Sequence, residues 1–270
     1  MIGLVRDVLR GFYRRDGFFL AAGLSFYVVI CVVPFVLLVI AGGGVLLADE
    51  NIIEEVVTRL SEVLPVYQSD VEEILTRVAR ARGISGLLGT VILLVFATQL
   101  FAATRFVLNR IFAMKGRTFL RGLFFDFAMI LLLVVLFFVS MGATGLFAWM
   151  QSRLAEFRHG GLFVAAFAWA GLFLAILLDA LLFGVVYRFV PIQRLPWPDV
   201  LTGSVTAAVL WEVAKQLFRL YIERVGVYSA VYGSLGVTIA LIMWVYYSAV
   251  VFVLGANVIR VLEERRRAAA

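Results

Sequence analysis

The sequence predicts an all-α, polytopic membrane protein with six transmembrane helices, and three observations carry that expectation. Of its 270 residues, 63% are hydrophobic and 16% charged, whereas a soluble domain is roughly half apolar and about a quarter charged. Mean hydropathy is +1.03. Apolar runs long enough to cross a bilayer, which takes about 20 residues, occur at 18–47, 84–104, 123–150, 162–190, 200–222 and 237–259. The third observation is charge placement. With six spans the termini share a side, and that side collects fifteen basic residues, from Arg6 through Arg121, Arg188 and Arg194 to Arg265, Arg266 and Arg267, against seven opposite. The positive-inside rule then puts both termini in the cytoplasm. The formal net charge of +6 follows from this clustering at span ends, so it argues for membrane orientation and against nucleic acid. A single membrane domain over 1–270 is expected.

Residues 1–16 set Arg6, Arg10, Arg14 and Arg15 among Leu4, Val8, Leu9 and Phe12, the pattern of a short amphipathic helix on an anionic membrane face. The first span is too long for a signal-peptide core and should stay as an anchor; Pro34 and Gly42 to Gly44 should kink or loosen it. Between the first two spans lies the one long polar stretch, 49–82, where Ile52, Ile53, Val56, Val57 and Leu60 and then Val71, Ile74, Leu75 and Val78 repeat at helical spacing around Pro65. Ser69 and Glu72 form a capping box for the second of these helices. An extracytoplasmic amphipathic hairpin follows, either a lid on the outer leaflet or a surface for envelope proteins. The prolines at 191, 196 and 198 break the chain between the fourth and fifth spans, with Trp197 suited to the interface.

Cys31 is the only cysteine and His159 the only histidine, which leaves no intramolecular disulfide, no transition-metal ligand set and no nucleophile–base pair. No metal, cofactor or enzymatic activity is expected. The residues that carry chemistry are charges inside apolar runs, because an ionised group in hydrocarbon costs at least a few kcal/mol unless paired or wetted and marks a working site by default. Glu212, Lys215 and Arg219 sit at i, i+3 and i+7 in the fifth span and share one helical face. At about 1.5 Å rise per residue, Asp179 in the fourth span and Glu212 both lie roughly 16–18 Å from the cytoplasmic end, near the midplane. Asp179, Glu212 and Lys215 can therefore neutralise one another as a register-fixing ion pair, or line a polar cavity in which the acids meet a cation or Lys215 and Arg219 meet a lipid phosphate. Above them the loop Gly226 to Gly236, with Tyr228, Tyr232, Gly233 and Gly236, is apolar yet broken by glycine. It reads as a re-entrant turn or as an interfacial turn in the aromatic belt. Gln99 in the second span and Asn257 near the end of the sixth are further polar candidates, Asn257 as a partner for backbone or another helix.

Several segments together resemble one family. Leu20 to Tyr27 with Pro34, Leu108 to Ile111, Tyr187 to Pro191, and above all Gly203, Trp211, Lys215, Tyr221, Tyr232, Gly233, Leu235, Gly236, Trp244, Gly255 and Ala256 are similar to the YihY/BrkB family of bacterial inner-membrane proteins, over nearly the whole chain. One departure is Asn257, where family members often carry an acid. The resemblance implies six transmembrane helices in a Gram-negative-type envelope, with links in some relatives to serum resistance and to export of lipid A precursors. A ribonuclease label also travels with the family, and nothing in these residues supports it. The expected function is transport, or assistance to transport, of a lipid or other amphiphile, with membrane lipids as partners. The alternatives are a small-solute or proton-coupled transporter using Asp179 and Glu212, and a non-transporting envelope scaffold acting through 49–82. A homo-oligomer is compatible with each.

Overall fold

The computed structural model describes residues 2–46, 84–114, 161–192, 195–225 and 234–269. Among them every element is a helix: α1 (Ile2–Arg14), α2 (Gly17–Leu46), α3 (Ile84–Ile111), α4 (Gly161–Phe189), α5 (Trp197–Val225) and α6 (Ser234–Ala269). The expected third span, 123–150, and the hairpin, 49–82, lie outside the described residues. Two stretches of the described helices are long and apolar enough to cross a membrane, Trp169–Phe189 at hydropathy 2.3 and Ile239–Ala268 at 2.2. The fifth expected span appears as α5, a helix made less apolar than α4 by the charges in its interior. Helix α2 continues through Pro34 and through Gly42 to Gly44, so none of them ends it. The sixth helix starts at Ser234, so Gly236 belongs to its first turn rather than to the preceding loop.

The described residues form two compact units, one of Tyr27–Leu100 and one of Met1–Phe26 with Phe101–Ala270. In the smaller unit Cys31 is a buried free thiol, Gln99 is exposed on α3, and Thr98 returns its hydroxyl to the Val95 carbonyl at 2.7 Å.

In the larger unit α5 packs between α4 and α6, and α1 lies against α6. Small residues make the first contact. A Cβ on Gly203 would overlap Ile259 and come within 2.9 Å of the Gly255 carbonyl, while one on Gly255 would meet the Tyr187 hydroxyl at 2.5 Å and Ala207 at 2.7 Å. The α5 and α6 backbones therefore approach over Gly203, Ala207, Gly255 and Ala256, the packing that apolar helices use where no hydrophobic effect drives them together. Tyr187 closes the seam. Fully buried, it donates its hydroxyl to the Phe252 carbonyl at 2.7 Å and packs its ring on Phe252 at 5.1 Å. Further along α5 and α6, Trp244 touches Trp211 at 5.1 Å and Phe218 at 4.7 Å.

Turn chemistry explains the ends. Asp16 links α1 to α2 with φ 54°, a left-handed conformation that Asp tolerates better than most residues. After α3, Met114 N–H donates to the Asn109 carbonyl at 2.8 Å and Ala113 N–H to the Arg110 carbonyl at 3.4 Å, a Schellman cap with Ala113 at φ 54° where glycine is the usual choice. Helix α5 opens with Trp197, Pro198 and Asp199: the proline needs no donor there and the acid meets the positive helix end. Arg188 lies 4.9 Å over the Trp197 ring and so joins the end of α4 to this start by a cation–π contact.

Candidate functional site

The charges inside the fourth and fifth apolar runs fall into two groups. Lys215 on α5 sits between two carboxylates: its ammonium is 3.3 Å from Asp179 Oδ2 on α4 and forms an ion pair with Glu212 Oε2 one turn back. Helical spacing puts Glu212 and Lys215 on one face, and the packing of α4 on α5 brings Asp179 to them. Side-chain exposures are 35% for Lys215, 19% for Asp179 and 15% for Glu212, so the cluster is enclosed on its acid side and partly open at the ammonium. As ionised groups, two carboxylates and one ammonium leave an excess negative charge.

Arg219 is separate. It is exposed, one turn beyond Lys215 on α5, and it has no ion pair among the described residues. The expected pairing of Lys215 with Arg219 as a joint phosphate clamp therefore changes character: Lys215 is committed to two acids because Asp179 lies within reach, and Arg219 alone is available to an anion. Tyr228, Tyr232 and Gly233 lie outside the described residues. Among the described residues no group of three or more His, Cys, Asp or Glu side chains could hold a metal ion.

Asn257 belongs to a second constellation, at the C-terminal half of α6. It is 1% exposed; its Nδ2 donates to the Val8 carbonyl at 2.6 Å and its Oδ1 accepts from Arg15 at 2.6 Å. The expectation that it satisfies backbone or another helix is met on both atoms, by α1 and by the turn after it. Around it the charges pair across elements: Arg15 with Glu264 at 2.8 Å, Arg265 with Asp7 at 2.5 Å, and Arg266 with buried Asp199 at 2.6 Å. Arg260 bridges Glu263 and Glu264 and donates to the Phe112 carbonyl at 3.3 Å beyond the end of α3. Charge counting along the sequence places these arginines at the membrane boundary by sign alone. The signal for their pairing is the acidic insert Glu263, Glu264 inside a basic run, which orientation counting passes over. Outside the membrane-spanning segments, the hydrogen bond from Arg265, supported by its charge and those of Arg6 and Arg10, holds the Asp7 carboxyl below the usual carboxylate range.

Together these describe a helical membrane protein with a small-residue seam, a paired charge junction and an ionic cluster between two helices. The Virulence factor BrkB family model matches residues 8–270, and the chain belongs to that family. A UPF0761 membrane protein of Rhodospirillum centenum is 28% identical over 98% of this chain and 58% of its own length. Over shorter stretches, a UPF0761 membrane protein of Cronobacter sakazakii is 39% identical over 34% of this chain and 32% of the relative, and the UPF0761 membrane protein YihY of Salmonella newport 38% identical over 35% and 32%. The chain thus spans at most little more than half the length of these relatives. No solved structure matches.

Proposed function

We propose that this protein transports, or assists transport of, a lipid or other amphiphile in the inner (cytoplasmic) membrane of a bacterial envelope, as a six-span bundle with both termini in the cytoplasm and no bond-breaking chemistry of its own. The observation that carries the reading is the half-open cluster itself. A dry pair that only fixes helix register needs no exposed ammonium and no unpaired arginine one turn away, whereas Lys215 is 35% exposed and Arg219 is open. The same two helices expose Phe173 and Leu177 on α4 and Leu217 and Leu220 on α5. A charged patch in an apolar surface suits a molecule that is hydrocarbon over most of its length and charged at its head, with Arg219 for a headgroup phosphate and the Asp179–Glu212 acids for a proton or an amine.

The experiment is redistribution of headgroup-labelled anionic phospholipid in liposomes holding the purified protein, with Lys215→Ala and Arg219→Ala beside it. Slowed redistribution in both variants supports the reading. Wild-type protein that neither binds nor redistributes the lipid ends it. The excess carboxylate of the cluster favours a second reading, a proton-coupled transporter of small solutes; this one expects uptake that depends on pH and is abolished by Asp179→Asn, with no lipid movement.

A further inference from the structure

We propose that the outward face of α1 is a docking surface for the anionic phospholipid headgroups of the membrane face from which α2 departs. The helix carries three parallel stripes. Leu4, Val8 and Phe12, four residues apart and so on one face, are turned to the protein: Val8 clusters with Val258 and Val261 of α6, with Leu4 and Leu262 beside it, and Phe12 packs edge-on against Phe18 at 4.9 Å. The next stripe is Val5, Leu9 and Tyr13, exposed by 57%, 56% and 77%. Beside it runs a third of Arg6, Arg10 and Arg14, all exposed.

Two contrasts identify what covers the outer stripes. Arg15, Arg260, Arg265, Arg266 and Arg267 each hold a carboxylate of this chain, whereas Arg6, Arg10 and Arg14 have no ion pair among the described residues; Arg6 and Arg10 lend only a longer-range field to Asp7. Three unneutralised guanidinium groups in line call for anions. The second contrast is with a water-facing helix, which has no use for three consecutive turns of exposed apolar side chain beside its charges. A layer of phosphates lying over acyl carbon meets both stripes at once, and nucleic acid would satisfy only the arginines. The apolar stripe also continues into the membrane: α2 begins at Gly17, and Phe18 and Phe19 are exposed by 51% and 80%. Because α1 meets α6 between Asn257 and Arg265, about 12 Å of helical rise, it stays within reach of the headgroup layer.

The test uses the full chain in nanodiscs, with Cys31→Ser and a fluorophore at Leu9→Cys, and headgroup-proximal nitroxide lipid as quencher. Quenching should grow with the mole fraction of phosphatidylglycerol and be absent in phosphatidylcholine alone. Each arginine near an anionic surface contributes a factor of about five, so R6Q/R10Q/R14Q should shift the phosphatidylglycerol dependence on the order of 100-fold at low salt, with unchanged thermal melting, while R6K/R10K/R14K should keep it. Equal quenching in phosphatidylcholine, or quenching indifferent to the three arginines, would overturn the proposal. So would inorganic phosphate alone reproducing the change in phosphatidylcholine discs, which indicates a free-anion site, or a short DNA duplex shielding the label where phosphatidylglycerol does not.

Discussion

The α1–α6 junction and the α4–α5 cluster are both built from buried or half-buried charges, and they differ in how the charges end. At the junction each of Asp7, Asp199, Glu263 and Glu264 meets an arginine, Asn257 is satisfied at both side-chain ends, and next to it the α5 and α6 backbones approach over Gly203 and Gly255. Between α4 and α5 two acids share one partly open ammonium and Arg219 is left over. The first arrangement pairs each of these acids and holds helices together, leaving Asp199 Oδ2 buried without a hydrogen bond; the second leaves two acids on one half-open cation beside an exposed arginine, the condition for meeting a ligand.

The sharpest way to break the comparison is at the seam. Gly255→Val adds a branched side chain where one Cβ already meets the Tyr187 hydroxyl at 2.5 Å and Ala207 at 2.7 Å. Overpacking costs about 1–3 kcal/mol or more where neighbours cannot move, and here two sides of the site are fixed, so monodisperse protein should be lost on size-exclusion chromatography. Asn257→Ala comes next. Removing two buried hydrogen bonds and leaving their partners inside should cost about 1–3 kcal/mol, read as a lowered melting temperature with lipid redistribution intact in the protein that remains folded.

Lys215→Met should lower stability less, on the order of 1–2 kcal/mol, because the roughly 3–5 kcal/mol of a broken pair applies to a fully enclosed one and this cluster is open at its ammonium, where Lys215 is 35% exposed. The smallest effect lies at Asp7. Its carboxyl is held below 3.8 by Arg265, so the pair's contribution is fully present above the ordinary carboxylate pKa and fades as pH falls through the lowered one. Acidifying from neutral pH to about 4.5 should leave the Asp7–Arg265 contact intact, and a small local loosening of α1, followed by a label at Leu4→Cys, should begin only below that; loosening near pH 6 would contradict this assignment.

Much of the α4–α5 arrangement is legible in the sequence because it depends on two regularities, helical rise and helical face. Counting rise from Val190 and Val200 puts Asp179 and Glu212 at one depth, and spacing puts Lys215 beside Glu212. Neither regularity says that Lys215 is shared by both acids, since that depends on the approach of α4 to α5, and so only the structure shows Arg219 without an ion pair among the described residues. The amphipathic first helix is legible too, but not its division into a protein face and an outer face: Leu4 and Leu9 are equally apolar, and only the position of α6 tells them apart. The Gly203–Gly255 contact is visible as part of a family resemblance and not as packing, because small residues reveal a close approach only once their partners are known.

The most direct measurement of the central claim is the rate at which headgroup-labelled phosphatidylglycerol redistributes in proteoliposomes of the neutral triple variant D179N/E212Q/K215M. Neutralising the whole cluster leaves no unpaired buried charge, so melting should stay near wild type while redistribution falls to the protein-free rate. A triple variant that folds and still moves the lipid at the wild-type rate would show that the α4–α5 charges only hold helices, as those of the junction do.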